Sequence, residues 1–180
     1  PVRHYLECLP ESDFDIGSLF ETYFGVVPSH EMEREYVQAA SVLFLKQACA
    51  RAVYPGCKAD IVIVIEGKQG VGKSRSLRAL FGADWFKDSL PPMGSKDASA
   101  YVVGAWCIEL AEMAFKIKAE TEQQKAFLSR QNEKYRPAYG RNSVTYPRRC
   151  IFVATTNRDD WAVDDTGNRR YLPIKVGKID

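Results

Sequence analysis

The segment from Gly67 to Ser74 constrains the fold of this chain more than any other. It reads GKQGVGKS and matches the pattern G-x-x-x-x-G-K-[ST]. The β-branched run Ile61–Ile65 precedes it, and the residues from Ser74 to Phe81 repeat apolar side chains on one helical face. A buried strand, a glycine-rich loop and a helix therefore follow one another in the order that a phosphate-binding loop requires.

Each residue type in this loop has a physical reason. Glycines let backbone N–H groups turn towards an anion, and the start of the following helix adds a partial positive charge. Lys73 is predicted to reach the β- and γ-phosphates of ATP, and the Ser74 hydroxyl to ligate Mg²⁺. A chance glycine-rich turn is the alternative. The predicted nucleotide-binding residues are Gly67, Gln69, Gly70, Val71, Gly72, Lys73, Ser74 and Arg75.

Carboxylates end a second apolar run, Ala105–Glu112. An acid at the end of a strand beside the loop can hold Mg²⁺, and a second acid can polarise the attacking water. We predict Glu109 for the metal and Glu112 for the general base, although the two roles could be exchanged. The alternative is that both acids face solvent at a strand–helix turn.

A third buried run, Cys150–Asn157, ends in an asparagine. At a strand tip beside the loop, Asn157 would hydrogen-bond the γ-phosphate or the attacking water. This is the sensor role of additional-strand ATPases. Taken alone, an asparagine at a strand end is more often a turn residue.

Two arginines, Arg169 and Arg170, stand before the last predicted strand. We predict that one of them is an arginine finger, which would stabilise charge on the γ-phosphate bound in an adjacent subunit. A surface ion pair with Asp164 or Asp165 is the alternative.

The formal net charge of +2 conceals a strongly basic segment, Lys125–Cys150. It carries seven basic residues and one acid, Glu133, so the rest of the chain is net acidic. After a predicted helix, Thr121–Asn132, aromatic and guanidinium groups alternate in a loop that can stack bases and hold phosphates. A solvated basic loop packed by its own tyrosines is the alternative. The predicted contacts with single-stranded DNA are Lys134, Tyr135, Arg136, Tyr139 and Arg141.

The length of 180 residues suits one domain or a core with a small lobe. We predict a helical N-terminal lobe at residues 1–58 and a P-loop ATPase core at residues 59–180. No apolar run reaches membrane-spanning length, so no membrane association is expected. The chain begins with Pro rather than Met, and we expect a piece of a longer protein.

The cysteines indicate a reducing compartment. None forms a C-x-x-C pair, and Cys49, Cys107 and Cys150 lie inside apolar segments. We therefore predict reduced core thiols in a cytoplasmic protein. The two histidines are far apart, so a metal site built from protein side chains alone is not expected.

Taken together, these motifs resemble those of the virulence-associated E family, the helicase-like proteins of phages, prophages and mobile islands. That family is similar to superfamily 3 helicases and to the ATPase halves of viral and satellite-phage primase–helicases. The opening Pro1–Leu9 also looks like the start of the family's domain. The more specific matching stretches are Pro55–Lys58, Glu66–Ser74, Trp106–Glu112, Phe127–Arg130, Tyr135–Arg141, Arg148–Cys150, Ala154–Asp159 and Asp165–Tyr171.

The resemblance implies an α/β fold, a RecA/AAA-like three-layer sandwich with a mostly parallel central sheet. It implies a ring-shaped oligomer, often a hexamer, with ATP and Mg²⁺ between subunits and single-stranded DNA in the channel. Lys73 and Ser74 match Walker A, Glu109 and Glu112 match Walker B, Asn157 matches sensor 1, and Arg170 or Arg169 matches the finger. Primase-like or replication-initiator regions would lie elsewhere in the parent protein, which would work in the cytoplasm of a bacterial host.

The function predicted from these features is an ATP-driven DNA helicase or translocase of phage or mobile-element replication. A P-loop kinase shares the loop but would need a lid and an acceptor pocket, whereas Asn157 and the arginine pair favour an ATPase at a subunit interface. A nucleic-acid-binding module with a vestigial ATPase is the other alternative.

Overall fold

The computed structural model describes residues 1–111, 122–136, 141–157 and 168–179. The strands are β1 (Val62–Glu66), β2 (Phe86–Lys87), β3 (Cys107–Ala111), β4 (Asn132–Tyr135), β5 (Val144–Pro147), β6 (Ile151–Thr156) and β7 (Tyr171–Lys175). Five of them form a parallel sheet at the centre of the molecule, in the order β2-β3-β6-β1-β7. The other two, β4 and β5, form a separate antiparallel hairpin.

Helices cover both faces of the sheet. They are α1 (Val2–Glu7), α2 (Leu19–Phe24), α3 (Glu31–Val53), α4 (Lys73–Phe81), α5 (Lys96–Tyr101) and α6 (Glu122–Leu128). Two short 3₁₀ turns, Ile16–Ser18 and Asn168–Arg170, precede α2 and β7. Glycine-rich connections and strong apolar runs explain why the sequence predicted β1, α4, β3 and β6 within one or two residues.

The strands bury alternate side chains in two hydrophobic cores, because successive residues of a strand point to opposite faces. Ile63, Ile65 and Val153 pack with α2, α3 and α4. On the other face, Val64 and Phe152 pack with α5 and α6. Two cores around a parallel sheet make a three-layer α/β sandwich, as predicted.

The N-terminal helices share a core with the sheet rather than forming one of their own. Phe44 of α3 contacts Phe81 of α4, which in turn contacts Trp106, the residue immediately before β3. The indole N–H of Trp106 donates to the carbonyl oxygen of Ala48 at 2.8 Å. The division into a lobe at 1–58 and a core at 59–180 stays a prediction.

The predicted helix Thr121–Asn132 is wrong in its last turn. Helix α6 ends at Leu128, and Asn132 already belongs to β4 of the hairpin. The cause is a tertiary contact, since the guanidinium of Arg148 is buried away from water and donates to the carbonyl oxygens of Phe127 and Leu128. A distant side chain therefore satisfies the carbonyls that a longer helix would have used.

The cysteine prediction is correct for two thiols and wrong for one. Cys107 and Cys150 are buried, whereas Cys49 is exposed on the solvent side of α3. Its apolar neighbours in sequence lie on other faces of the same helix, so local composition misplaced it. No helix in the described part of the chain combines the length and apolar character that a bilayer span requires.

Candidate nucleotide-binding site

The loop between β1 and α4 has the shape expected of an anion-binding turn. Gly70 and Gly72 have φ values of 81° and 102°, a conformation that favours glycine. Helix α4 starts at Lys73, so the positive end of its dipole meets the loop. The N–H of Gly67 donates to the carbonyl oxygen of Thr156 at 3.1 Å, which fixes the loop to the end of β6.

The ammonium group of Lys73 lies within this loop. Its Nζ donates to the carbonyl oxygens of Gly67 at 2.6 Å and Lys68 at 3.0 Å, and to Oδ1 of Asn157 at 3.1 Å. Burial lowers the pKa of Lys73, and the negative charge of Glu109 partly opposes that shift. A largely desolvated cation whose hydrogen-bond partners are uncharged oxygens is suited to bind an anionic phosphate.

Glu109 is the centre of a second set of contacts. The hydroxyl of Ser74 donates to Oε1 of Glu109 at 2.7 Å, and the hydroxyl of Thr155 donates to the same oxygen at 2.6 Å. Glu109 is only 2% exposed. The sequence predicted Ser74 and Glu109 but missed Thr155, although its position two residues before Asn157 places both side chains on one face of the strand.

Sheet order explains why these residues meet. Strand β6 lies between β1 and β3, and Val153 pairs with Ile63 on one side and with Glu109 on the other. All three strands are parallel, so their carboxyl ends meet at the same edge of the sheet. The side chains of Thr155 and Asn157 therefore lie between the loop that follows β1 and the acid on β3.

The cavity at this edge has a volume of about 580 Å³. Its lining contains nearly all of the predicted nucleotide-binding residues, including Arg75, together with Glu109 and Asn157. Lys178 and Ile179 also line it, and the sequence did not predict them. The segment after β7 lies beside the loop because the N–H of Val176 donates to Glu66 and that of Gly177 to Gly25.

The donor set at this edge fits Mg²⁺. The Ser74 hydroxyl and the Glu109 carboxylate supply hard oxygen ligands, which this ion prefers. Among the described residues there is no group of three or more His, Cys, Asp or Glu side chains that could hold a metal by themselves. A Mg²⁺ ion here would therefore be shared with phosphate oxygens and water, as in other nucleotide sites.

The sequence profile of the virulence-associated protein E-like (VapE-like) domain matches residues 11–180. The chain belongs to the VapE-like family. This confirms the resemblance seen in the motifs. A search of curated proteins found no match.

Solved structures similar to this VapE-like domain include three of the NrS-1 C-terminal region. An apo A-form structure has a TM-score of 0.58 at 15% identity, and the match covers 95% of this chain and 39% of that one. A second A-form structure has a TM-score of 0.55 and another apo structure one of 0.56, each at 16% identity, covering 95% of this chain and 40% of the other. At this identity the similarity shows the fold alone, and this chain spans 39–40% of the length of those chains.

The two arginines of the VapE-like domain lie away from the loop. Arg169 and Arg170 occupy the 3₁₀ turn before β7, whose first residue, Tyr171, pairs with Val62 at the start of β1. Lys73 follows the opposite end of β1, on the order of 15 Å away along the strands. The structure does not bring either arginine to the cavity of its own chain.

The predicted DNA contacts of the VapE-like domain gather on the β4–β5 hairpin. Lys134, Arg136 and Arg141 are exposed, and the ring of Tyr135 lies 5.7 Å from that of Tyr146 on the opposite strand. The sequence missed Tyr146, because only the strand pairing brings the two tyrosines together. Glu112 and Tyr139 lie outside the described residues.

The basic segment is less exposed than its composition suggested. Arg148 is buried and ion-paired with Glu133, its Nε donating to Oε1 at 2.8 Å. Its guanidinium also lies over the rings of Phe127 and Phe152. Arg148 therefore stabilises the base of the hairpin and adds no charge to the surface.

Proposed function

We propose that this VapE-like domain is an ATP-hydrolysing DNA helicase or translocase of phage or mobile-element replication, working as an oligomeric ring on single-stranded DNA. One observation carries the proposal: Lys73, Ser74, Glu109 and Asn157 meet around one cavity at the carboxyl edge of a parallel sheet. The strand inserted between β1 and β3 delivers the asparagine. The proposed hydrolytic site therefore combines a loop that binds phosphates, an acid that binds the metal and an amide that contacts the γ-phosphate.

Each residue has a proposed role. The loop residues Gly67, Gln69 to Gly72 and Arg75 bind the phosphates, and Lys73 exchanges its oxygen partners for phosphate oxygens. Ser74 and Glu109 hold Mg²⁺, which when bound neutralises charge that develops on the phosphates. Asn157 orients the attacking water, and Glu112 is the proposed general base.

The hairpin is the proposed DNA-binding element. Its exposed cations, Lys134, Arg136 and Arg141, would bind backbone phosphates in a salt-dependent manner. The tyrosine pair offers an aromatic surface, since Tyr146 is 43% exposed. Tyr135 and Tyr139 would stack on bases, which is a sequence-tolerant contact.

The arginine pair supports an assembly. Because Arg169 and Arg170 lie at the far end of the sheet from Lys73, a finger role requires a neighbouring subunit. A ring, with six subunits the expected number, places such an arginine against the next subunit's nucleotide. The similarity to C-terminal regions supports the view that residues 1–58 and the core at 59–180 belong to a longer protein, with primase or initiator regions elsewhere, in the bacterial cytoplasm.

The proposal is tested by ATPase turnover with and without single-stranded DNA, with particle mass measured on the same sample. We expect turnover that depends on Lys73, is stimulated by DNA and occurs in an oligomer. Arg170→Ala should bind ATP without hydrolysing it, and mixing it with Lys73→Ala subunits should partly restore turnover. In verified mixed oligomers, the absence of rescue would contradict a finger acting between subunits.

Two outcomes would favour other functions. Phosphate transfer to a small acceptor by a monomer would indicate a kinase. Salt-sensitive DNA binding without any turnover, in both this chain and its parent protein, would indicate a binding module with a vestigial ATPase. If single-stranded DNA leaves the ATPase turnover of an oligomer unchanged, the proposed helicase or translocase function is contradicted.

A further inference from the structure

We propose that Thr155 is a positioning residue that orients the Glu109 carboxylate towards Mg²⁺; this deepens the proposed function and rests on it. The sequence motifs assign no role to this threonine. Its hydroxyl oxygen lies 2.6 Å from Oε1 of Glu109, and the hydroxyl oxygen of Ser74 lies 2.7 Å from the same atom. Both residues are buried: Thr155 is 5% exposed and Glu109 is 2% exposed.

The two hydroxyl contacts converge on one carboxylate oxygen. Ser74 and Thr155 both donate to Oε1, so the rotation of the carboxylate is fixed from two sides. No hydrogen bond to Oε2 is found among the described residues, so this oxygen is the one proposed to bind the metal or a water bound to it. Hydrogen bonds to a charged group are stronger than neutral ones, so each contact is a substantial restraint.

Thr155 differs from Ser74 in how firmly it is held. Ser74 is exposed at the junction of the loop and α4, and its oxygen must also serve the metal. Thr155 lies in the middle strand of the sheet, paired with Ile65 of β1 and Ala111 of β3. Its β-branched side chain has restricted χ1 freedom, so its hydroxyl keeps one direction with or without nucleotide.

The test compares Thr155→Val, which keeps the shape but lacks the hydroxyl, with Thr155→Ser, which keeps the hydroxyl. Thr22→Val on the exposed face of α2 is the matched control. Binding of a fluorescent ATP analogue is titrated with Mg²⁺ and repeated in EDTA. Crystal structures of the nucleotide-free variants show the Glu109 side chain directly. Thr155→Ala replaces the valine variant should valine prevent folding.

For Thr155→Val we expect the Mg²⁺ concentration that half-maximally enhances binding to rise about tenfold, the equivalent of one hydrogen bond to a charged group. Analogue affinity in EDTA should stay unchanged, and Glu109 should adopt more than one rotamer. The serine variant and the Thr22 control should behave as wild type. A merely structural role would lower affinity equally with and without Mg²⁺.

Unchanged Mg²⁺ dependence in Thr155→Val, with Glu109 in its wild-type rotamer, would overturn the inference and leave the proposed function intact. A wild-type protein that binds no nucleotide in either condition would instead overturn the proposed function. In that case the crystal structures alone decide whether Thr155 orients Glu109.

Discussion

Nζ of Lys73 lies 3.1 Å from Oδ1 of Asn157, across the gap between α4 and the tip of β6. The contact joins the cation of the phosphate loop to the amide expected to orient water. Before nucleotide binds, each group serves as the partner of the other. Under the proposed function, a phosphate that binds the ammonium group of Lys73 would release the amide of Asn157 to orient water. Nucleotide binding and activation would then use the same two side chains in succession.

The first prediction concerns Asn157→Ala. Removing the amide leaves Lys73 its two carbonyl partners in the loop, so nucleotide affinity should change less than about tenfold. Turnover should fall on the order of a hundredfold, as it does when other single polar groups that stabilise developing charge are removed. Equilibrium binding and steady-state ATPase assays measure the two effects. Lys73→Ala is the comparison, and it should lose binding itself. Equal losses of binding and turnover in Asn157→Ala would contradict the separation of roles.

The second prediction concerns the junction of Gly25 with the segment after β7. A Cβ atom on Gly25 would overlap the backbone carbonyl of Lys178, and φ at Gly25 is 62°. Gly104 also has positive φ, at 81°, but no described atom lies within 4 Å of an added Cβ. Both alanine variants should lose about 1–2 kcal/mol of unfolding free energy, because a residue with a Cβ disfavours positive φ. Gly25→Ala should lose about 1–3 kcal/mol more, because its Cβ overlaps the neighbouring backbone.

Urea unfolding of Gly25→Ala and Gly104→Ala measures this difference. The Gly25 variant should also weaken nucleotide binding, because Lys178 and Ile179 line the cavity. Equal stabilities of the two variants would show that the segment around Lys178 moves away from the added Cβ without loss of unfolding free energy, which would contradict the prediction.

The third prediction concerns the buried ion pair of Glu133 and Arg148, whose side chains are each 1% exposed. Glu133→Gln leaves an uncompensated guanidinium and should cost about 3–5 kcal/mol of unfolding free energy. The double variant Glu133→Leu with Arg148→Met should cost less than the sum of its single variants. Chemical denaturation measures the wild type, Glu133→Gln, the two single variants and the double variant.

The exposed pair of Arg3 and Glu7 provides the control. Glu7→Gln should unfold at the wild-type midpoint, since solvent screens the pair. Additive losses at Glu133 and Arg148 would mean that the two side chains stabilise the hairpin base independently.

The fourth prediction concerns the charge of the hairpin. Lys134→Gln and Arg141→Gln should each reduce the slope of log affinity for single-stranded DNA against log salt by about 0.7. Lys46→Gln, an exposed substitution on α3, should leave the slope unchanged. Fluorescence anisotropy over a salt series measures the slopes. A change at Lys46 as large as that at the hairpin would place DNA elsewhere on the surface.

The fifth prediction concerns thiol reactivity. Burial raises the pKa of Cys107 well above its ordinary value and that of Cys150 to about 11, so neither should react with iodoacetamide in the folded protein. Exposed Cys8 should be labelled in the native state. Cys49 is also exposed as a residue, but it should react more slowly because partial desolvation of its thiol raises its pKa. Peptide mass spectrometry before and after unfolding measures the order.

The same pKa shifts set a direction for stability. The thiols of Cys107 and Cys150 ionise at a higher pH in the folded protein than in the unfolded chain. Their contribution to the free energy of unfolding is therefore complete at neutral pH and is lost as the pH rises above the ordinary pKa of a thiol. Labelling of Cys107 in the native state would contradict its position in the core.

The sequence predicted those parts of the molecule that are determined locally. The glycine loop, the β-branched run before it and the tip of β6 identified Lys73, Ser74, Glu109 and Asn157, because chain order and strand polarity fix where these residues lie. The hydrogen bond from Lys73 to Asn157 was not predicted, since the sequence assigned Asn157 to the γ-phosphate or the attacking water.

Contacts between distant segments could not be predicted in this way. The end of α6 depends on Arg148, twenty residues further along the chain, and the exposure of Cys49 depends on which face of α3 meets the sheet. Thr155 shares a strand face with Asn157 in the sequence pattern, but its contact with Glu109 depends on β3 lying beside β6. Lys178 reaches the cavity because the last segment turns back to Gly25, which no local pattern records.

Strand β6 has a further consequence for how the family can vary. It is six residues long, about 20 Å, and carries the hairpin at one end and Asn157 at the other. Extra residues in the hairpin turn would leave both ends in place. One residue inserted into β6 would turn Thr155 away from Glu109 and at once exchange the strand's two buried faces. The length of the hairpin, the proposed DNA-binding element, can therefore vary, whereas the number of residues in the strand that joins it to the nucleotide-binding edge is fixed.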